Sequence, residues 1–402
     1  LHSLIQATLR AGADAADARV SESASLSVEV RNGELENVER EESRGLSLRA
    51  LVGRRQAHVS GTDLSPDALK AMSDRVVAMA RLAPEDKWCG LPDASEVTSA
   101  RPDLQLDCDD TPEAPELERR AIAMEAAMLA VPGVKQSSHS GASWNTGRSW
   151  LAASNGFVAK KSSGMSGITA VAIAERDGAM ERDYENSSER RRAKLRTPEE
   201  VGRDAGLRAA ARLGSRKIDS QTAPVIFENR LANRLLGAFI GAISGPAIAR
   251  GVSFLKDKMG KPVFAPGVDI IDDPTIIGGF GSRGFDGEGR AVQRTALIKD
   301  GVLTQWLLNG PSARQLGLTP NGFSSMGFGD PPGVTTSNLD IQPGKRTLAQ
   351  LMADAKTGLL VTDMFGPSLN SNTGDYSVGV SGFWFENGER AYPVSEVTVA
   401  GD

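Results

Sequence analysis

The stretch LSVEVRNGELENVEREESRGLSLRAL, Leu26 to Leu51, decides how the first half of this chain folds. Leu26, Val28 and Val30 alternate with Ser27, Glu29 and Arg31, a period of two that buries one face of a strand and wets the other. Asn32-Gly33 then supplies the two positive-φ positions of a type I′ turn, and Leu46, Leu48 and Leu51 continue the strand text on the return. A turn this tight joins only antiparallel neighbours, so an antiparallel sheet is expected here.

Outward from that hairpin the signals alternate. A short helix precedes the turn at Gly12 to Ala16, and Ser65 before Pro66 and Asp67 opens another, with Leu69, Met72, Val76 and Met79 expected on its buried face. The Pro-, Asp- and Trp-containing stretch from Pro84 to Pro115 reads as a mobile loop. Leu117, Ala121, Met124 and Met128 mark the inner side of a second helix. From Val134 to Glu185 strand text returns, with turns at Asn155-Gly156 and Asp177-Gly178 and the alternation Thr169, Val171, Ile173. Its style matches the first segment, which suggests one shared sheet. Thr197, Pro198, Glu199 and Glu200 form a capping box for a helix ending near Gly214. The basic run Arg190, Arg191, Arg192, Lys194 and Arg196 before it reads as a solvated connector.

At Ser220 to Ala223 glycine becomes dense and aromatics cluster, which places a boundary between an α+β domain over 1–220 and a mostly β domain over 221–402. Hairpins are expected around Asp300-Gly301, joining 294–299 to 302–308, and around Asn387-Gly388, joining 382–385 to 389–399. One helical segment, Leu348 to Ala355, interrupts these strands, and the strand Phe383, Trp384, Phe385 reads as core.

With 402 residues, 40 % of them hydrophobic, the chain can bury a sizeable core. A net charge of −5 argues against a general nucleic-acid binder, which concentrates positive charge to displace counterions. No window approaches the ~18 uninterrupted apolar residues of a membrane span, and Leu1 to Gln6 lacks the basic flank of a secretory signal, so a cytoplasmic location off the membrane is expected. Cys89 and Cys108 make no disulfide framework. His2, His58 and His139 have no second histidine at helical metal-ligand spacing. Gly279 to Gly284 satisfies GxGxxG, but the turn text Phe285-Asp286-Gly287-Glu288-Gly289 follows where a dinucleotide site needs a helix. Asp286 and Glu288 therefore read as acids of a solvated loop.

Four stretches carry a resemblance: LLGAFIGAISGPAI from Leu235 to Ile248, FDGEG from Phe285 to Gly289, LIKDGVLTQWLLNGPSARQLGL from Leu297 to Leu318, and TGDYSVGVSGFWFENGERAYPVSEVTVAG from Thr373 to Gly401. They are similar to the TldD/PmbA family, on its PmbA (TldE) side. The resemblance implies an α+β fold, with an N-terminal antiparallel sheet carrying packed helices, a C-terminal mostly antiparallel barrel-like domain, and chains that pair as dimers. In the TldD branch a helix bears HExxxH, whose histidines hold zinc while the glutamate takes a proton from the attacking water. By that resemblance Gly237 and Ala242 stand where the histidines would be and Ala238 where the glutamate would be. The implied chain has no catalytic residue and no metal of its own. It is a non-catalytic subunit of a cytosolic metalloprotease acting on unfolded peptides, paired with a zinc-carrying TldD-like subunit, or with itself in the partner's absence. The alternative is a homodimeric regulatory or binding protein of the gyrase-modulator type. Gly374, Asp375, Tyr376 and Ser377 are candidate peptide contacts, against the reading of an aspartate-capped turn. Family members continue past the position of Gly401, so a final segment is expected to be missing.

Overall fold

A computed structural model describes residues 1–325 and 331–401 of the chain. Its first 211 residues build one unit twice over. The first copy is α1 (His2–Arg10), β1 (Ala15–Arg31), β2 (Glu34–Val52), β3 (Arg55–Gly61) and α2 (Pro66–Leu82). The second is α3 (Ala114–Leu129), β4 (Val134–Ala153), β5 (Val158–Arg176), β6 (Ala179–Glu189) and α4 (Pro198–Ala211). Both meanders lie in one six-stranded antiparallel sheet, in the order β3-β2-β1-β4-β5-β6, and meet along a seam of β1 against β4.

The turn signals act as read. Asn32 and Gly33 take φ of 55° and 75°, and Asp177-Gly178, Asp300-Gly301 and Asn387-Gly388 repeat the pattern. The first hairpin is also held from outside: the buried Glu125 carboxylate of α3 accepts from Asn32 N at 3.1 Å and Gly33 N at 2.7 Å. Ser65 and Thr197 cap α2 and α4, the latter in a full capping box.

Helices cover one face of the sheet. Leu4 and Ile5 of α1 and Met72, Val76, Val77 and Ala80 of α2 pack on Leu46, Leu48 and Ala50. Met79, expected in that stripe, is 44 % exposed, because the buried face runs through Val77 and Ala80 instead. Leu117, Met124 and Met128 of α3 meet Val201, Ala205 and Ala209 of α4 over Ile168 and Ala170. The two helices come close enough that a Cβ on Gly202 would stand 2.0 Å from the Met124 carbonyl oxygen. The opposite sheet face carries small polar side chains; Ser21, Ser149 and Lys161 lie in one cross-strand row there.

Between the two copies, residues 83–113 hold a single 3-10 turn, Ala94–Glu96, and otherwise no regular structure. The mobile loop expected here is instead a strap tied to the second half of the chain. Thr98 N donates to Gly289 O at 2.9 Å, Gly278 N to Leu104 O at 2.8 Å, and Arg314 Nε to Trp88 O at 2.7 Å, while Leu104 is buried.

The second half begins with β7 (Val225–Phe227), α5 (Ala232–Ala242) and α6 (Gly245–Ala249). Next come β8 (Ile270–Asp272), β9 (Thr295–Lys299), β10 (Val302–Leu303), α7 (Gly310–Leu316), β11 (Ser324–Ser325), β12 (Gly333–Val334) and β13 (Leu339–Ile341). It ends with α8 (Leu348–Ala355), β14 (Gly358–Leu369), β15 (Tyr376–Glu386) and β16 (Glu389–Gly401). Two four-stranded sheets result, β10-β9-β8-β13 and β16-β15-β14-β7, antiparallel except where β7 joins β14, and the class is α+β with a curled half-barrel sheet. Leu236, Phe239 and Ile243 seal α5 and its end onto Ile270, Leu297 and Ile298. Phe383, Trp384 and Phe385 are buried as expected. The strand expected over 302–308 stops at Leu303, and Asn309 then caps α7 by accepting from Ser312 N at 2.9 Å.

The halves are joined by charge as well as by the strap. Arg230 donates to Asp183 of β6 at 2.9 Å, and Arg208 of α4 donates to Glu228 at 3.0 Å. Among the described residues no helix is long and apolar enough to cross a membrane.

Candidate functional site

The helix-free face of the sheet meets the loop between β8 and β9, and between them lies a cleft of about 580 Å3. Its floor comes from alternate residues of adjacent strands, Arg19 and Ser21 on β1, Ser149 on β4 and Lys161 on β5, as the register requires. Its roof is the segment Phe280 to Gly287, which overlaps all but the first glycine of the GxGxxG text. Three amides of that loop are bonded within the protein: Gly281 N donates to Asn338 Oδ1 at 2.9 Å, Ser282 N to Gly279 O at 3.2 Å, and Arg283 N to Pro274 O at 3.0 Å. No helix follows it, in agreement with the reading against a dinucleotide fold.

The two acids after that loop are not solvated. Asp286 is 2 % exposed and Glu288 6 %, because the strap and α7 close over them. Asp286 Oδ1 accepts from Glu288 N and Arg290 N, both at 2.9 Å, and Oδ2 from Ser324 N at 3.3 Å. Burial pushes its carboxyl up to about 6 despite those donors. Glu288 accepts from Gly310 N at 2.7 Å and pairs with Arg290 at 3.0 Å, and Arg290 reaches Glu96 of the strap at 3.4 Å. The acids fasten the roof of the cleft.

Within the basic run Arg191 and Lys194 are exposed as expected, but Arg190 departs from that role. Arg190 is 7 % exposed and donates to the carbonyls of Leu106 in the strap, Gly164 in β5, and Gly278, Gly279 and Phe280 in the roof. Arg190 carried no local sequence signal, since every partner is distant along the chain, and the contacts that bury the acids, Ser324 for Asp286 and Gly310 for Glu288, are distant too.

The family-derived positions lie elsewhere. On α5, Gly237 is exposed with open space beside it, Ala238 is half-buried, and Ala242 is 4 % exposed within the core, so the three do not converge on one cavity. His139 stands 3.8 Å from Glu29, and among the described residues no group of three His, Cys, Asp or Glu side chains could hold a metal ion. Gly374 and Asp375 form the turn into β15; Gly374 takes φ 90° against Phe254, and the exposed Asp375 accepts from Thr373 Oγ1 at 2.6 Å. Tyr376 and Ser377 begin the strand, and the buried Tyr376 hydroxyl has no hydrogen-bond partner among the described residues.

Comparison with known proteins is consistent along the whole chain. Domain 1 of the PmbA/TldA metallopeptidases matches residues 16–80, their central domain 106–213 and their C-terminal domain 220–402. Metalloprotease PmbA of Escherichia coli O157:H7 is 36 % identical over 97 % of this chain and 85 % of its own length. A solved Bacteroides thetaiotaomicron protein, described as a candidate modulator of DNA gyrase, superposes with a TM-score of 0.92 at 25 % identity, covering 100 % of this chain and 90 % of that one. TldE from Thermococcus kodakarensis shares the fold, with a TM-score of 0.86 at 18 % identity over 100 % of this chain and 91 % of its own. On these matches the chain belongs to the PmbA/TldD metallopeptidase family, on its PmbA/TldE side.

Proposed function

We propose that this chain is the non-catalytic subunit of a cytoplasmic two-subunit metalloprotease of the TldD/TldE type, acting on unfolded peptides. The observation that carries the reading is α5. The residues that resemblance aligns with the zinc-binding positions, Gly237, Ala238 and Ala242, have no donor atom, and they point to different surroundings. A metal ion does not fit them, and no proton-transfer group stands in the glutamate's place. Zinc and the general base then belong to a TldD-like partner in a heterodimer, with a homodimer as the resting form in its absence. The segment Gly374 to Ser377 touches the peptide, with the exposed Asp375 carboxylate as its polar group.

Metal content and peptidase activity of the purified chain, alone and mixed with a zinc-bearing TldD-like homologue, test this on an unfolded peptide. Zinc-free, inactive protein that confers activity only in the mixture supports the subunit. Stoichiometric zinc or hydrolysis by the lone chain refutes it. The gyrase-modulator description of one solved relative favours a second reading, a homodimeric regulator; a mixture no more active than the homologue alone would favour that instead.

A further inference from the structure

The two copies of the N-terminal unit differ along the outer edge of their second strand. In each, the third strand pairs with only the far part of the second: β3 with Leu46–Val52 of β2, and β6 with Ser166–Arg176 of β5. The near part of β5 is covered by the strap and by Arg190. Gly164 N donates to Leu106 O at 3.1 Å, Arg190 Nη1 to Gly164 O at 2.8 Å, and Arg101 Nη2 to Val158 O at 2.7 Å. The near part of β2, Glu34 to Arg44, has no such cover, and every residue of it is exposed. Arg40 stands as far before the Gly53-Arg54 turn as Gly164 stands before Asp177-Gly178, so its N–H and C=O point to the same outer side. On β2 that side is open: among the described residues the segment makes no backbone hydrogen bond beyond its ladder with β1.

A row of unpaired amides and carbonyls is a template for another extended chain, and the side chains along it select which. Five glutamates and two arginines lie between Glu34 and Arg44. Both arginines are engaged, Arg40 with Glu42 at 2.8 Å and Arg44 with Glu22 at 2.7 Å. Glu39 and Glu41 share the helix-free face, opposite Ser27 and Ser25 of β1, and form no ion pair among the described residues. On the other face Val38, opposite Val28, is 44 % exposed. Two such edges brought together would set like charges against each other, which disfavours another molecule of this chain as the occupant.

We propose that the outer edge of β2 from Glu34 to Arg44 is a docking site for an extended basic segment of a partner polypeptide, which lines this edge as the strap lines β5. Backbone hydrogen bonds at Arg40 hold it, cationic side chains at alternate positions meet Glu39 and Glu41, and apolar ones between them lie along Val38. The edge belongs to the N-terminal sheet, apart from α5 and from the turn at Gly374, and its occupancy is read as binding without hydrolysis. It therefore stands or falls separately from the protease reading.

Fluorescence anisotropy of the purified full chain tests it, with a labelled, end-blocked peptide of alternating lysine and valine as probe. The probe should bind saturably near one per chain, about tenfold or more tighter than its glutamate–valine counterpart. When the lysines meet Glu39 and Glu41, the valine nitrogens face β2. Methylating those nitrogens should weaken binding about tenfold or more, and methylating the lysine nitrogens by less than about threefold. Arg40→Pro removes an outward N–H and leaves the ladder to β1, so it should weaken binding about tenfold while melting within a few degrees of the parent. Glu39→Lys together with Glu41→Lys should invert the preference between the two peptides. Equal affinity for the two methylated probes, or an unchanged preference after both glutamates are replaced, overturns the proposal. A dimer of the parent chain that Arg40→Pro dissociates in sedimentation also overturns it, and assigns the edge to another molecule of this chain.

Discussion

Replacing Arg190 with alanine deletes a guanidinium that reaches carbonyls in three separate segments, at 2.7 Å to Leu106, 2.8 Å to Gly164, and 2.9, 2.8 and 3.4 Å to Gly278, Gly279 and Phe280. A hydrogen bond to a charged group contributes ~1.5–3 kcal/mol. The sum over four short contacts overstates the loss, for two reasons. The guanidinium makes no ion pair among the described residues and gives up hydration on folding, which already disfavours its charge. Water can also reach part of the vacated space and serve some carbonyls. The expected loss is therefore about 3–4 kcal/mol, near the upper end for a single substitution. Arg190→Lys should recover roughly half, because an ammonium has three donors and no planar fork. Urea unfolding followed by tryptophan fluorescence measures the loss, and limited proteolysis of residues 83–113 reports whether the strap has come away. A change below about 1 kcal/mol for Arg190→Ala, the outcome for a solvated connector, would refute the latch.

Gly202→Ala should destabilise by about 2 kcal/mol or more in the same urea assay, since its Cβ meets the Met124 carbonyl oxygen at 2.0 Å and α3 and α4 must part. Glu125→Ala leaves the Asn32 and Gly33 amides without their acceptor and should cost about 2 kcal/mol, whereas Glu125→Gln, which keeps one oxygen, should cost less. Asp286 holds its proton up to about pH 6 when folded but releases it near 3.8 when unfolded, so stability should fall as pH rises between those values and flatten above them. At 1.36 kcal/mol per pH unit this group accounts for about 3 kcal/mol, read as the difference in urea midpoints between parent and Asp286→Asn across that range. Parallel pH profiles for the two proteins would remove the explanation.

What the sequence disclosed was local. Asn-Gly and Asp-Gly turns encode their own backbone geometry, and Ser65 and Thr197 sit next to the amides they cap, so hairpins and helix starts could be read without knowing the rest of the chain. α7 also had a local signal, Asn309 as cap with Pro311 in the first turn, hidden because the apolar residues just before it read as strand. The buried acids were illegible for a different reason. Asp286 owes its burial to Ser324, and Glu288 owes its own to Gly310, and no short window joins them. The cleft is the extreme case, since Arg19, Lys161 and Arg283 come from strands and a loop that only the assembled sheet brings together. Met79 shows that a helical stripe can be placed correctly and still be rotated by one residue.

The doubled meander has a consequence for how the chain reaches its fold. Each copy closes through hairpins between sequence neighbours, which form in ~1–10 μs, whereas the β1–β4 seam joins residues roughly a hundred or more apart and must wait for a long loop to close. Two half-sheets with bare inner edges therefore exist before the seam does. The inner edges are those of β1 and β4, and the β1 of one molecule can pair with the β4 of another by the same register that serves within a molecule. Exchange across the seam is thus the natural route to a domain-swapped dimer at high concentration, and the strap between α2 and α3 is the hinge that would have to open.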